Sequence, residues 1–188
     1  MEKVIAFMKD HPFITLIGTD KNGRIEATQI PVLVEEKEGR LFIYGHIAKK
    51  SDHHQAFEEN PNVLALFTGA HTYVSGTWYS GNPQQASTWN YISVHARGQI
   101  RFLDEEALVG LLKKLSLHFE NNNMASSTIY DNLPIDYKEK LIMNGHEVIV
   151  IVYHIKNNVI VILSYHLSSE FSSSFTFLDM TLIRQKST

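Results

Sequence analysis

Residues 87–100 read STWNYISVHARGQI, a stretch that alternates apolar and polar like a strand yet carries Trp89, Asn90, Tyr91, His95 and Arg97. Two of these offer flat faces for stacking and two offer directional hydrogen bonds, a set that suits a planar heteroaromatic ligand. Residues 71–79, HTYVSGTWY, repeat the theme with Ser75, Thr77, Trp78 and Tyr79. The plainer reading is packing: aromatic residues on one face of a strand also serve as core or as a subunit interface. On that reading Trp89 and Asn90 report on the barrel more than on chemistry.

A second constellation lies in YGHIAKKS, residues 44–51. A strand ends at Gly45 and His46, two lysines follow, and Ser51 opens a helix. Lys49, Lys50, the Ser51 hydroxyl and the free amides of the helix start can therefore converge on one anion, which is phosphate chemistry. The alternative is a solvated turn with an ordinary N-cap. Taken together, a phosphate site and an aromatic site point to a nucleotide-like cofactor.

Other chemistries find less support. Ten histidines invite a metal, but His53 and His54 are adjacent and point about 100° apart on a helix, and no H-E-x-x-H spacing occurs. No metal site is expected. There is no G-x-S-x-G elbow, and with no cysteine there is neither thiolate catalysis nor a disulfide. No side chain stands out as a general acid or base, so no catalytic residue is nominated. A formal charge of −3 gives no general attraction to nucleic acid. With no helix-turn-helix pattern either, direct DNA binding is disfavoured. No apolar run approaches the roughly 18 residues of a membrane span, and the start MEKVIAFMKDH lacks the order of a secretory signal. A cytoplasmic protein that does not enter the membrane is expected.

The elements that must position these residues are mostly strands. Val4, Ile5, Phe7 and Met8 give a short helix that Pro12 ends. FITLIGTD, RIEATQIPVLVEE and GRLFIYGH form a meander joined at DKNG and EEKEG. A helix capped by Ser51 follows, then a buried strand in NPNVLALFTG, a further strand or strand end in TYVSGTWY, and a long strand from Thr88 to Leu103. Asp104 caps a helix whose apolar face is Leu108, Leu111, Leu112 and Leu115, and a short helix near YKEKLIM precedes two last strands. The fold class is mainly β with α (α+β), an antiparallel barrel, closed or partly closed, with peripheral helices. One domain is expected over residues 1–166, with an atypical Ser/Phe-rich tail over 167–188.

HPFITLIGTD, ATQIP, GHIAKKS, LFTGAHTYVSGTWY and STWNYISVHARGQI occur in the order and spacing of the PaiB family of FMN-binding regulators, which this chain resembles from about Glu2 to about Ile155. The resemblance implies a split β-barrel that binds FMN at a homodimer interface. It also implies that Lys49 stands near the FMN phosphate beside Lys50, with Ser51 where relatives usually carry asparagine. Thr28 and Gln29 are implied to run beside the flavin ring, with Gln29 where many relatives carry histidine. His46, Ser75, Trp78, Trp89, Asn90 and His95 match the family pattern. A regulatory role follows from the resemblance alone. An FMN-dependent oxidoreductase acting on a small molecule or nicotinamide donor is the alternative, and a haem-binding split barrel the weaker one.

Overall fold

A computed structural model describes residues 2–38, 40–78, 86–143, 146–154 and 159–164. The tail expected over 167–188, Tyr79 and most of the loop after it lie outside the described residues.

The described strands are β1 (Phe13–Thr19), β2 (Ile25–Pro31), β3 (Leu33–Lys37), β4 (Arg40–Ala48), β5 (Asn62–Val74), β6 (Thr88–Leu103), β7 (His146–His154) and β8 (Val159–Ser164). They make one antiparallel sheet in the order β2-β1-β5-β6-β7-β4-β3, with β8 also on β6. In β1 and β4 every second residue is buried, so the sheet curls around Ile14, Leu16, Leu41, Ile43 and Ile47. The curl brings β2 back against β4 without hydrogen bonding to it in a ladder. Gly45 sits at that crossing, where a Cβ would stand 2.8 Å from Ile30 Cδ1 and 3.4 Å from the Pro31 carbonyl. This seam is the split of the barrel.

Helices close its two ends. α1 (Glu2–Asp10) buries Ile5 and Met8 at one end, and α2 (Asp52–Glu59) buries Ala56 and Phe57 at the other. α3 (Glu105–Phe119) lies outside the barrel and packs Leu108, Leu111 and Leu115 against Leu33, Tyr44 and Leu103. α4 (Ile135–Met143) follows it. Both expected caps form: Ser51 Oγ accepts from His54 N at 3.3 Å and Asp104 Oδ1 from Ala107 N at 2.9 Å. The DKNG turn closes through Asp20 Oδ1, which accepts from the amides of Asn22 and Arg24.

Two expectations are refined. RIEATQIPVLVEE is two strands, because Val32 leaves the ladder to donate to the Pro12 carbonyl at 2.8 Å. LFTG and HTYV belong to one 13-residue strand, β5, interrupted by a bulge between Thr68 and His71. Beyond that bulge the β5–β6 ribbon runs on with exposed residues, and a 3-10 turn follows at Gly76–Trp78.

Candidate functional site

The first group of nominated residues surrounds the split. Thr28 and Gln29 precede the point where β2 crosses β4; His46 follows Gly45 on β4; Lys49, Lys50 and Ser51 link β4 to α2. Lys50 holds a left-handed backbone, φ 63°, which is uncommon for a side chain other than glycine, asparagine or aspartate. Neither lysine has a carboxylate within ion-pairing distance among the described residues. The Ser51 hydroxyl is already engaged: it donates to Ala48 O at 2.7 Å, accepts from His54 N, and lies 2.9 Å from His53 Nε2. A hydroxyl has one proton, so His53 Nε2 is the donor in that last contact. As placed, Ser51 shapes the turn and leaves the anion to the lysines and the helix amides. Burial holds His53 below the ordinary histidine value, with Glu26 opposing.

The second group sits on the β5–β6 ribbon. Ser75 Oγ pairs with Thr77 Oγ1 at 2.8 Å, and Ser87 Oγ accepts from Gly76 N at 3.0 Å. Trp78 is 64 % exposed. Trp89 is 55 % exposed and meets Tyr73 edge-on at 5.8 Å across the ribbon. Its expected role in barrel packing is therefore corrected: no core surrounds the ring. Successive strand residues face opposite ways, so Trp89, Tyr91 and His95 share the outer face while Asn90 lies on the face of Val94 and Ala96, both core residues. Asn90 Oδ1 is buried with no hydrogen-bond partner among the described residues. His95 stands in one cross-strand row with Leu66, Thr15 and Gln29, which puts Gln29 and His95 on one face. Burial, and then the nearby Arg97 charge, hold its imidazole below the ordinary value.

Within one chain the two groups do not meet. Gly45 pairs with Ile149, and Ile149 with Phe102, so the lysine turn stands level with the C-terminal end of β6. Trp89 is near the other end, up to about 43 Å away along the strand at about 3.3 Å per residue. Sequence reasoning could not supply this separation, since it depends on β7, a partner of β4 nearly a hundred residues downstream.

The family model described as "Putative FMN-binding domain" matches residues 1–154. The chain belongs to this family. FMN is the cofactor that membership assigns to it, and the PaiB resemblance holds. The protease synthase and sporulation protein PAI 2 of Bacillus subtilis is 32 % identical over 124 residues, 64 % of this chain and 58 % of that protein. The match thus spans less than two thirds of that relative. Among solved structures, the conserved hypothetical protein Rv2991 of Mycobacterium tuberculosis superposes with a TM-score of 0.55 at 16 % identity, over 92 % of this chain and 93 % of that one. An FAD- and haem-binding protein of Mycobacterium smegmatis gives 0.54 at 15 % identity, over 94 % and 90 %. At such identities these likenesses show the fold alone, a split barrel.

The residues present fit FMN in two parts. The Lys49 and Lys50 ammonium groups, which have no carboxylate partner among the described residues, and the α2 amides suit its phosphate. The exposed face of Trp89 suits its ring, while the buried Asn90 oxygen lies on the opposite side of β6. Among the described residues no group of three His, Asp or Glu could hold a metal ion, and no helix is long and apolar enough to cross a membrane.

Proposed function

We propose that the chain is a cytoplasmic FMN-binding regulator that works as a homodimer, each flavin lying between two subunits. The observation that carries this reading is the separation of the charged turn from the aromatic ribbon along β6. One copy supplies Lys49 and Lys50 for the phosphate; the β5–β6 ribbon of the second copy, with Trp89 of the partner subunit, supplies the ring environment. FMN brings a redox-active ring to the site. This chain binds the phosphate, orients the ring and excludes water from it. Similarity to the sporulation protein PAI 2 supports the regulatory role, and the net negative charge favours an indirect one over contact with DNA.

Mixed dimers test the shared site. Lys49→Ala/Lys50→Ala and Trp89→Ala, each alone, weaken FMN binding. Mixing them after partial unfolding and refolding restores a tight class of sites, because one site per mixed dimer then has both parts intact. Failure of the mixture to recover binding, or a monomer in sedimentation at micromolar concentration with FMN bound, would overturn the reading.

A further inference from the structure

A concavity of about 700 Å³ lies at neither nominated group. It opens on the outer face of the sheet beside the C-terminal end of α2. Its floor is Ile17, Ile25 and Leu64, and its charged wall is Arg97 and Arg101. Ile17, Leu64 and Arg97 are cross-strand neighbours in one row, so the wall and the apolar floor are contiguous. Arg97 and Arg101 both lie on the outward side of β6 and are exposed. Neither has a carboxylate within ion-pairing distance among the described residues. The rim is a chain of amides and hydroxyls already held in place: Asn60 Nδ2 donates to Thr19 Oγ1 at 2.8 Å, and Asn62 Nδ2 to Asn60 Oδ1 at 3.0 Å. Thr19 Oγ1 accepts there, which leaves its own proton for a ligand.

Two guanidinium groups with no carboxylate partner among the described residues suit an anionic ligand, and each can bind a phosphate in a bidentate manner. The apolar floor calls for a body of ring size attached to it, and the volume is that of a small-molecule site. We propose that this concavity is a second ligand site, which takes an organic phosphate monoester carried on an apolar or aromatic ring. It is distinct from the lysine turn: Ser51 and Asn60 cap opposite ends of α2, whose eight residues put about 12 Å between them.

Calorimetric titration with phenyl phosphate and with adenosine 5′-monophosphate, each with and without saturating FMN, tests the assignment. Saturable binding of at least one probe that persists with FMN bound is expected. Arg97→Gln and Arg101→Gln should each weaken it by about tenfold or more, the loss of one charge-assisted contact. FMN affinity should stay unchanged in both variants. Inorganic phosphate should bind more weakly than the esters, because it leaves the apolar floor uncovered. Three outcomes would overturn the proposal: neither ester binds saturably; FMN abolishes their binding, which places them in the flavin site; or the arginine variants alter sedimentation and leave ester affinity intact, which makes the arginines an interface.

Discussion

Ser51 and Lys49 are two residues apart and should respond to substitution in opposite ways. Ser51→Ala removes the N-cap and the tie to Ala48, at about 0.5–2 kcal/mol of stability, while FMN affinity changes little. Lys49→Ala should leave folding intact and lower FMN affinity by roughly tenfold or more, the loss of a charge-assisted bond. Riboflavin, which has no phosphate, should bind both proteins alike. Urea unfolding beside calorimetry with the two flavins separates these effects; an Ser51→Ala protein that is fully stable but blind to FMN would return the hydroxyl to the phosphate. The residue types at both groups were legible in the sequence. The engagement of the Ser51 proton was not, because Ala48 O and His53 reach it only through the turn. Arg101 was also missed, although its place on the outward stripe of a strand with Trp89, Tyr91 and Arg97 could be counted off.

The two half-buried histidines make stability depend on pH. Both His53 and His95 are held below the ordinary value of 6.5, chiefly by burial. The fold therefore favours their neutral forms. Their contribution is complete above the unfolded value and is lost as pH falls through the lower, folded values. Urea midpoints should drop between neutral pH and about pH 5, and His95→Gln should flatten part of that slope. An unchanged slope in this variant would show that His95 is not a contributor.

At the scale of elements, the seam and the end caps depend on close approaches. A Cβ on Gly18 would stand 2.6 Å from Phe57 Cε1, and Phe57 is fully buried. Gly18→Ala should cost about 1–3 kcal/mol by overpacking, and Phe57→Leu in the same chain should recover part of that loss. Additive losses in the double variant would mean the two residues do not share a contact. The caps, the hydrophobic stripe of α3 and the strand from Thr88 to Leu103 were all readable, since each is a local pattern. The break at Val32 was not, because its cause is the Pro12 carbonyl, twenty residues upstream in sequence and adjacent only once the sheet curls. Nor could the bulge between Thr68 and His71 be read; it lets one strand serve first the barrel and then the ribbon.

For the molecule as a whole, the outer face of β1 leaves Phe13 61 % exposed at the end away from the arginine concavity, on a sheet whose opposite face is core. That face continues through Gln29 and His95 toward Trp89, the surface a second copy would cover. Trp89→Ala should shift sedimentation toward monomer and weaken FMN binding together, with little change in the unfolding of the isolated subunit. Loss of flavin from an unchanged dimer would instead confine Trp89 to the ring.

The pairing of β4 with β7 has one more consequence, at the ribosome. Ala48 pairs with His146, and Arg40 with His154. β1, β2 and β5 can assemble soon after they emerge, but one edge of β4 must wait for about a hundred further residues, roughly 5–20 s at ordinary rates of synthesis. α3 emerges in the interval with only part of its seat present, since it also packs on β7. During those seconds the nascent chain carries an open strand edge and an apolar helix together, the combination most prone to pairing with a neighbouring chain. Chaperone demand should therefore concentrate in the later part of translation, after Leu103 and before His154, and ease once β7 seals the sheet.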